Sequence, residues 1–472
     1  MGERTFMDAR DVSALTQRIQ ELEKENARLK EILEKNGIEY ESFESKTCNF
    51  NHIEATSVSI CQFTLQEKVT IFQSVFRGRD DVFAKRWYSS TTQKSGYQPV
   101  CTREWNQEFC DKRKYKCADC PNRQFDPLTY NDVFNHLAGK DVWGRDVIGL
   151  YPIRKDNTCC FLCTDFDDKS CEHGYKNDVL SFVNVCKTWN VPCYIERSRS
   201  GNGAHAWIFF DTPITAFKAR KLGNVILTEA MNSDVHLSFK SYDRFFPNQD
   251  TLPEGGLGNL VALPLQGMAR RKGNSVFVDE DFNAYADQWE LLSQIRKLSE
   301  VELDMLLRQH IEPTLGELSK TSEEKPWETP KMDMVQTDCY PKEIVLTRAN
   351  MLYIPLTSLS AKCVNVFKRM AAFRNPEFYE KQGMRLSTYN IPRIISCSEI
   401  TDDYLVLPRG CEDAVRAILT QHNVKVLISD KTNHGRSIKV TFRGGLREEQ
   451  QKAMEAFAGH NVGTLSATTA FG

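Results

Sequence analysis

Cys159-Cys160-Phe161-Leu162-Cys163-Thr164-Asp165-Phe166-Asp167 is an apolar run that ends in two carboxylates separated by a single residue. Its length and apolar continuity predict a buried strand. Residues two apart in a strand share a face, so Asp165 and Asp167 converge while Phe166 turns to the other side. Converging carboxylates repel unless a cation or a shared proton separates them. The pair therefore suits a divalent ion held for phosphoryl chemistry. Paired aspartates after a strand also occur as ordinary turn chemistry, so the neighbouring segments must decide.

Outward from this run, residues 60–300 alternate strand-like and helix-like stretches. The strand candidates are Val147–Ile153, Cys159–Asp165, Val191–Glu196, His205–Phe210, Asn259–Leu265 and Ser275–Val278. The helix candidates are Asn177–Trp189 and Ala216–Met231. The pattern predicts an α/β or α+β sheet layered with helices.

Two further segments carry chemistry. Glu196-Arg197-Ser198-Arg199-Ser200-Gly201-Asn202-Gly203-Ala204-His205 joins two strand candidates. Glycines allow close backbone approach, arginines pair with phosphate oxygens, and Ser200 and His205 add donors. Such a loop suits a triphosphate. Ser241-Tyr242-Asp243-Arg244-Phe245-Phe246-Pro247-Asn248-Gln249-Asp250 offers a third carboxylate. Asp243 is the candidate; Asp250 competes, or caps the turn at Thr251-Leu252-Pro253.

In order, these three segments resemble the motifs of archaeo-eukaryotic primases: a paired Asp, a Ser…His loop and a late lone Asp. The Ser-Gly-x-x-x-His form also resembles the polymerase domain of bacterial end-joining ligases. Phe76–Trp87, Glu196–Phe210 and Tyr242–Gln266 are more narrowly similar to the primase domain of TOTE conflict systems, over roughly residues 70 to 300. The resemblance implies an α+β primase catalytic core, with an RRM-like sheet and flanking helices. It implies template-directed or primer-forming nucleotidyl transfer, with Mg2+ or Mn2+ and a nucleoside triphosphate. Asp165, Asp167 and Asp243 would hold two ions roughly 3.5–4 Å apart, one activating a 3′-hydroxyl and one neutralising pyrophosphate. Ser200, Gly201 and His205, with Arg197 or Arg199, would bind the triphosphate. The competing classes are a primase fold retained only to bind nucleic acid, and a metal-dependent nuclease. The latter has no use for a triphosphate loop.

Composition narrows the partners. The 472 residues allow two or three domains, and a net charge of −2 gives no global signature of nucleic-acid binding. A local one exists: residues 76–124 hold eleven Lys/Arg against six Asp/Glu, with Trp87, Tyr88, Tyr97, Trp105 and Tyr115 interleaved. Base-stacking surfaces look like this, as do many solvated faces. DNA, single-stranded or as primer-template, is the expected partner. No apolar run is long enough to span a membrane, and Met1-Gly2-Glu3-Arg4 does not open a signal peptide. A cytoplasmic setting with reduced thiols is expected for the sixteen cysteines, which favours metal over disulfides where they cluster. Cys101, Cys110, Cys117 and Cys120 form such a cluster within 101–120, ending in Cys-x-x-Cys, and predict a structural zinc knuckle. Cys159, Cys160 and Cys163 read as core.

The flanks read differently. Val12, Ile19, Asn26 and Leu33 interleave with Leu15, Leu22 and Leu29, a heptad seam over 1–37 that predicts a coiled coil and a homodimer. Residues 313–342 are polar and proline-punctuated, a linker. Residues 343–440 look like the region preceding the motor of the TOTE helicase. In 441–472, Gln450 on an amphipathic helix, a strand at Gly463–Ser466 and Ala467-Thr468-Thr469-Ala470-Phe471-Gly472 resemble the start of a superfamily 2 helicase. There the glutamine contacts adenine and the last segment opens a P-loop. The Lys and Ser/Thr required after Gly472 are not present, so this reads as an ATP site cut short within a longer protein.

Overall fold

The computed structural model describes residues 63–115, 117–167, 174–237, 244–310, 340–386, 388, 391–433, 435–460 and 464–471, with Lys24, Arg28 and Lys35. Residues 1–58 and 59–472 form separate compact units. In the first, the three described residues are helical and exposed; the predicted coil otherwise lies outside the described residues, as do Asp243, Cys171, Gly472 and residues 313–339 of the predicted linker.

The second unit begins with α1 (Leu65–Val75), β1 (Ala84–Tyr88), β2 (Ser95–Pro99), α2 (Tyr130–Ala138), β3 (Ile148–Leu150) and β4 (Thr158–Asp167). It continues through α3 (Tyr175–Thr188), β5 (Tyr194–Arg197), β6 (Gly203–Thr215), α4 (Ala216–Ser233), β7 (Phe245–Phe246), β8 (Val261–Ala262), α5 (Gly267–Arg271), β9 (Val276–Val278), α6 (Gln288–Ser293) and α7 (Glu300–Gln309). The helix starts are encoded locally. Thr64 with Glu67, Thr129 with Asp132 and Ser299 with Glu302 each form a reciprocal capping box that satisfies otherwise orphaned N–H groups.

The central sheet has the order β7-β4-β6-β5-β9, every pair antiparallel. A second antiparallel sheet runs β2-β1-β3-β8. Strand alternation sorts β4 into two faces. Leu162 and Phe166 meet the helices: Phe166 lies 5.9 Å from Phe182 of α3, and Leu162 abuts Gly223 of α4. Phe161 and Cys163 point the other way, paired with Phe209 and Trp207 of β6. There Phe76, just past α1, packs edge-on to Trp207 at 5.3 Å and to Phe209 at 5.6 Å. Burial on both faces explains why β4 is an unbroken apolar run, and Cys159, Cys160 and Cys163 are core as read.

The C-terminal half holds β10 (Glu343–Arg348), β11 (Leu352–Pro355), α8 (Ala361–Met370), β12 (Ala372–Arg374), α9 (Pro376–Gly383), β13 (Ile394–Ser396), β14 (Glu399–Ile400), β15 (Tyr404–Leu407), α10 (Glu412–Gln421), β16 (Lys425–Asp430) and α11 (Glu448–Ala458). Its sheet, β14-β15-β11-β10-β16, has its own core around Leu346, Phe367, Leu405 and Leu419. Of the strand read at Gly463–Ser466, Gly463 lies outside the described residues and residues 464–466 are irregular rather than part of a strand.

The two halves share buried polar contacts. On α8, Lys368 donates to the carbonyls of Val235 and Leu237, both at 2.9 Å, and Asn365 donates to Thr228 and Asn232 of α4. Asp250 is the second joint. Arg220 of α4, 1% exposed, pairs with it at 3.0 Å, Arg393 approaches to 3.6 Å, and Gln382 donates to it at 3.0 Å. Removing one member of a buried ion pair strands the other charge, at about 3–5 kcal/mol. Asp250→Ala should therefore lower unfolding stability by about that amount, measured by urea denaturation. A loss indistinguishable from an exposed-site substitution would show that Arg220 does not depend on it.

Candidate active site

Four side chains meet at the C-terminal end of β4. The antiparallel register sets Asp165 opposite His205 and Asp167 opposite Gly203, and β5 sets Glu196 opposite His205. All share the face of Phe161 and Trp207, where the apolar layer gives way to charge. Gly203 is required by the close crossing: a Cβ there would stand 2.7 Å from the Phe166 carbonyl oxygen.

Glu196 is 1% exposed, and its carboxylate accepts from His205 Nδ1 at 2.5 Å and from Trp207 Nε1 at 3.3 Å. The other ring nitrogen, Nε2, faces Asp165 Oδ1 at 3.5 Å. Burial disfavours the imidazolium. The Glu196 charge and hydrogen bond, then Asp165 and Asp167, more than offset this and raise the His205 pKa to about 9. This favours the cationic ring at neutral pH, with Nδ1 donating to Glu196 and Nε2 facing Asp165.

Arg244 supplies the second positive charge. Its Nη1 lies 3.5 Å from Asp165 and 3.4 Å from Asp167, and its backbone carbonyl accepts from Asp165 N–H at 3.0 Å. The carboxylate pair thus faces a shared cation, the Arg244 guanidinium. Asp243 lies outside the described residues; it directly precedes Arg244 in the chain. Among the described residues no group of three or more His, Cys, Asp or Glu side chains that could hold a metal ion is formed. What fits a divalent ion is the donor set: two half-exposed carboxylates already drawn to one positive group.

The loop between β5 and β6 is a tight turn. Ser198 N–H donates to the Gly203 carbonyl at 2.9 Å, Ser198 and Ser200 hydroxyls stand 3.1 Å apart, and Gly201 adopts φ +85°. Ser200 is exposed near the turn's tip. Arg197 is committed elsewhere, its guanidinium donating to the carbonyls of Gly273, at 2.8 Å, and Phe282. Arg199 reaches the Tyr97 hydroxyl on β2. The loop's own arginines therefore serve different partners. Asp250, the rival third carboxylate, is held by Arg220 and does not join the site.

Cys101, Cys110, Cys117 and Cys120 are half-buried and line one cavity of about 30 Å³. Burial pushes the Cys117 thiol up; Lys112 opposes this, and Glu104, Cys110 and Cys101 add to it. At the far end, Gln450 Nε2 donates to the Phe471 carbonyl at 2.6 Å, so the glutamine touches the segment that contains Ala467, Thr468 and Thr469.

A family model described as the archaeo-eukaryotic primase domain of the TOTE conflict system matches residues 67–306, half of the chain. The chain belongs to this family. As a TOTE primase-domain protein it carries a primase/polymerase-type domain, and nucleotidyl transfer is the class of chemistry this supports. Among solved structures it is similar to one titled the polymerase domain from Mycobacterium tuberculosis Ligase D in complex with DNA. The identity is 10% and the TM-score 0.28, over 52% of this chain and 87% of that one. A likeness at that score decides nothing about site or substrate. No curated protein matches the chain. No helix among the described residues of this TOTE primase-domain protein is long and apolar enough to cross a membrane.

Glu196 and Arg244 carry the site's charge balance, yet sequence reasoning gave neither a role. Glu196→Gln removes an opposite charge in direct contact with His205. In metal-free protein it should lower the His205 titration midpoint by about 1–3 pH units, read by imidazole NMR. A midpoint that stays near 9 would mean that the aspartates alone sustain the cation.

Proposed function

We propose that this protein is a DNA primase-polymerase, a metal-dependent nucleotidyltransferase centred on Asp165 and Asp167. The observation that carries this reading is their convergence on one sheet face beside a buried His205 that is anchored by Glu196 and faces Asp165. Asp243 would complete the carboxylate set; its place directly before Arg244, whose carbonyl accepts from Asp165, supports that assignment. Bound Mg2+ or Mn2+ would supply charge neutralisation and activation of a 3′-hydroxyl. The chain's own residues do the rest. His205, kept protonated by Glu196, donates from Nε2 toward phosphate oxygens. Ser200, Gly201 and the backbone of the 198–203 turn present further donors, and Arg199 adds charge beside Tyr97. Arg197 would hold the turn in shape through Gly273 and Phe282. In this role the site suits transfer of a nucleotide, not hydrolysis of a strand.

The reading extends to both flanks. The four cysteines would hold structural zinc, which requires their sulfurs to close on the common cavity to about 2.3 Å from the ion. Coupling to a helicase is supported by the order of Gln450, its helix and Ala467–Thr469, and by the Gln450 contact with Phe471.

Labelled-nucleotide extension of a primed template with magnesium or manganese tests the enzyme. Asp165→Ala/Asp167→Ala should reduce incorporation to background. A double variant as active as the parent would overturn the site, and a parent that binds DNA without ever incorporating would leave only a binding module. For zinc, elemental analysis of Cys117→Ser/Cys120→Ser should show loss of bound metal; unchanged content would end that assignment.

A further inference from the structure

A groove of about 1670 Å³ adjoins the acidic pair through Arg244. Arg244, which faces Asp165 and Asp167, is among its lining residues. One wall is β2 and the cysteine loop, with Tyr97, Lys112, Tyr115 and Arg123. The floor is the Pro253–Leu260 segment, and the opposite wall comes from the C-terminal half, through α9 and the residues after it. The volume exceeds the roughly 300–1,000 Å³ typical of small-molecule sites. Lysine and arginine outnumber acids along it: Lys112, Arg123, Arg244 and Arg385 against Asp119 and Glu254.

Arg385 is the unusual member. It sits at φ +54°, in the left-handed region where glycine or asparagine is unstrained and other residues are disfavoured. Its backbone is fixed on both sides. Its N–H donates to Gln382 at the end of α9, and its carbonyl accepts from Glu254 N–H at 2.9 Å, across to the groove floor. Its side chain is exposed, and among the described residues its guanidinium has no hydrogen-bond or ion-pair partner. Tyr115, which lines the same groove, offers a ring that is 37% exposed, with Lys114 Nζ 5.3 Å from its centroid. A cation fixed by its backbone and a partly exposed ring flanked by Lys114, in a trough too large for a small ligand, match the two needs of a single strand: phosphate neutralisation and base stacking. A duplex hides its base faces and would gain nothing from Tyr115.

We propose that this groove is the track for a single-stranded DNA template. The C-terminal half forms its outer wall, Arg385 contacts a phosphate and Tyr115 stacks on a base. The proposal rests on the primase-polymerase reading for the strand's identity, but its test does not require catalysis.

The probe is a fluorescein-labelled twenty-residue oligothymidylate, its anisotropy followed with the full chain, without divalent metal or nucleotide, across a salt series. Arg385→Asn keeps a residue that tolerates the left-handed backbone and removes only the charge. It should weaken binding and make the slope of log affinity against log salt shallower by about 0.7, one phosphate's worth for a single strand. Tyr115→Ala should weaken binding roughly tenfold with the slope unchanged. Unlabelled duplex of equal length should compete poorly. Parental affinity in both variants, or duplex competing as well as single strand, would overturn the track. Extension assays on the same proteins separate the two ideas. Variants that bind like the parent, while the parent extends primers, sink the groove alone. Variants that lose binding, while the parent never extends, sink the enzyme alone.

Discussion

The pairing of β4 with β6 sets the constraint that everything else answers. It aligns Asp165 and Asp167 with His205, and the next pairing adds Glu196 to the same row. Three carboxylates on one face, one of them fully buried, would be untenable without compensation. The fold meets that demand twice: with a histidine pushed into its charged form from both ring nitrogens, and with Arg244 shared between the aspartates. The helices on the opposite face contribute indirectly. By packing Phe182 and Gly223 against Phe166 and Leu162 they fix which residues of β4 can face the charge.

Much of this was legible in the sequence, for identifiable reasons. β4 was visible because burial on both faces leaves an unbroken apolar stretch. The helix read as Ala216–Met231 runs Ala216–Ser233, marked by its capping Thr215. The strand read as Asn259–Leu265 shrinks to Val261–Ala262. Leu265 turns to φ +64° and its N–H bonds to Ser275 instead of continuing the ladder. The hairpin of β1 and β2 was not read. Lys85-Arg86-Trp87-Tyr88 and Ser95-Gly96-Tyr97-Gln98 are mostly half-buried and carry no apolar alternation.

In the site, the pairing of Glu196 with His205 was recoverable in principle. A turn closed between Ser198 and Gly203 forces Arg197 opposite Ala204 and Glu196 opposite His205. The separate fates of Arg197 and Arg199 were not recoverable, because their acceptors come from residues 76 or more positions later and from β2. Asp250 shows the same limit. Nothing near it in sequence announces Arg220 or Arg393, yet these make it a structural anchor rather than a ligand.

That anchor has a bearing on how the protein can be divided. Lys368 grips the carbonyls of Val235 and Leu237, just before the segment leading to Asp243, and Asp250 is gripped just after it. Clipping the chain at the boundary suggested by its polar stretch would discard Lys368, Gln382 and Arg393 together. The amino-terminal piece would keep every residue of the family match, yet surrender the contacts that hold the chain on either side of residues 238–243. Excising the primase domain as a minimal unit would therefore be a structural amputation rather than a neutral trim.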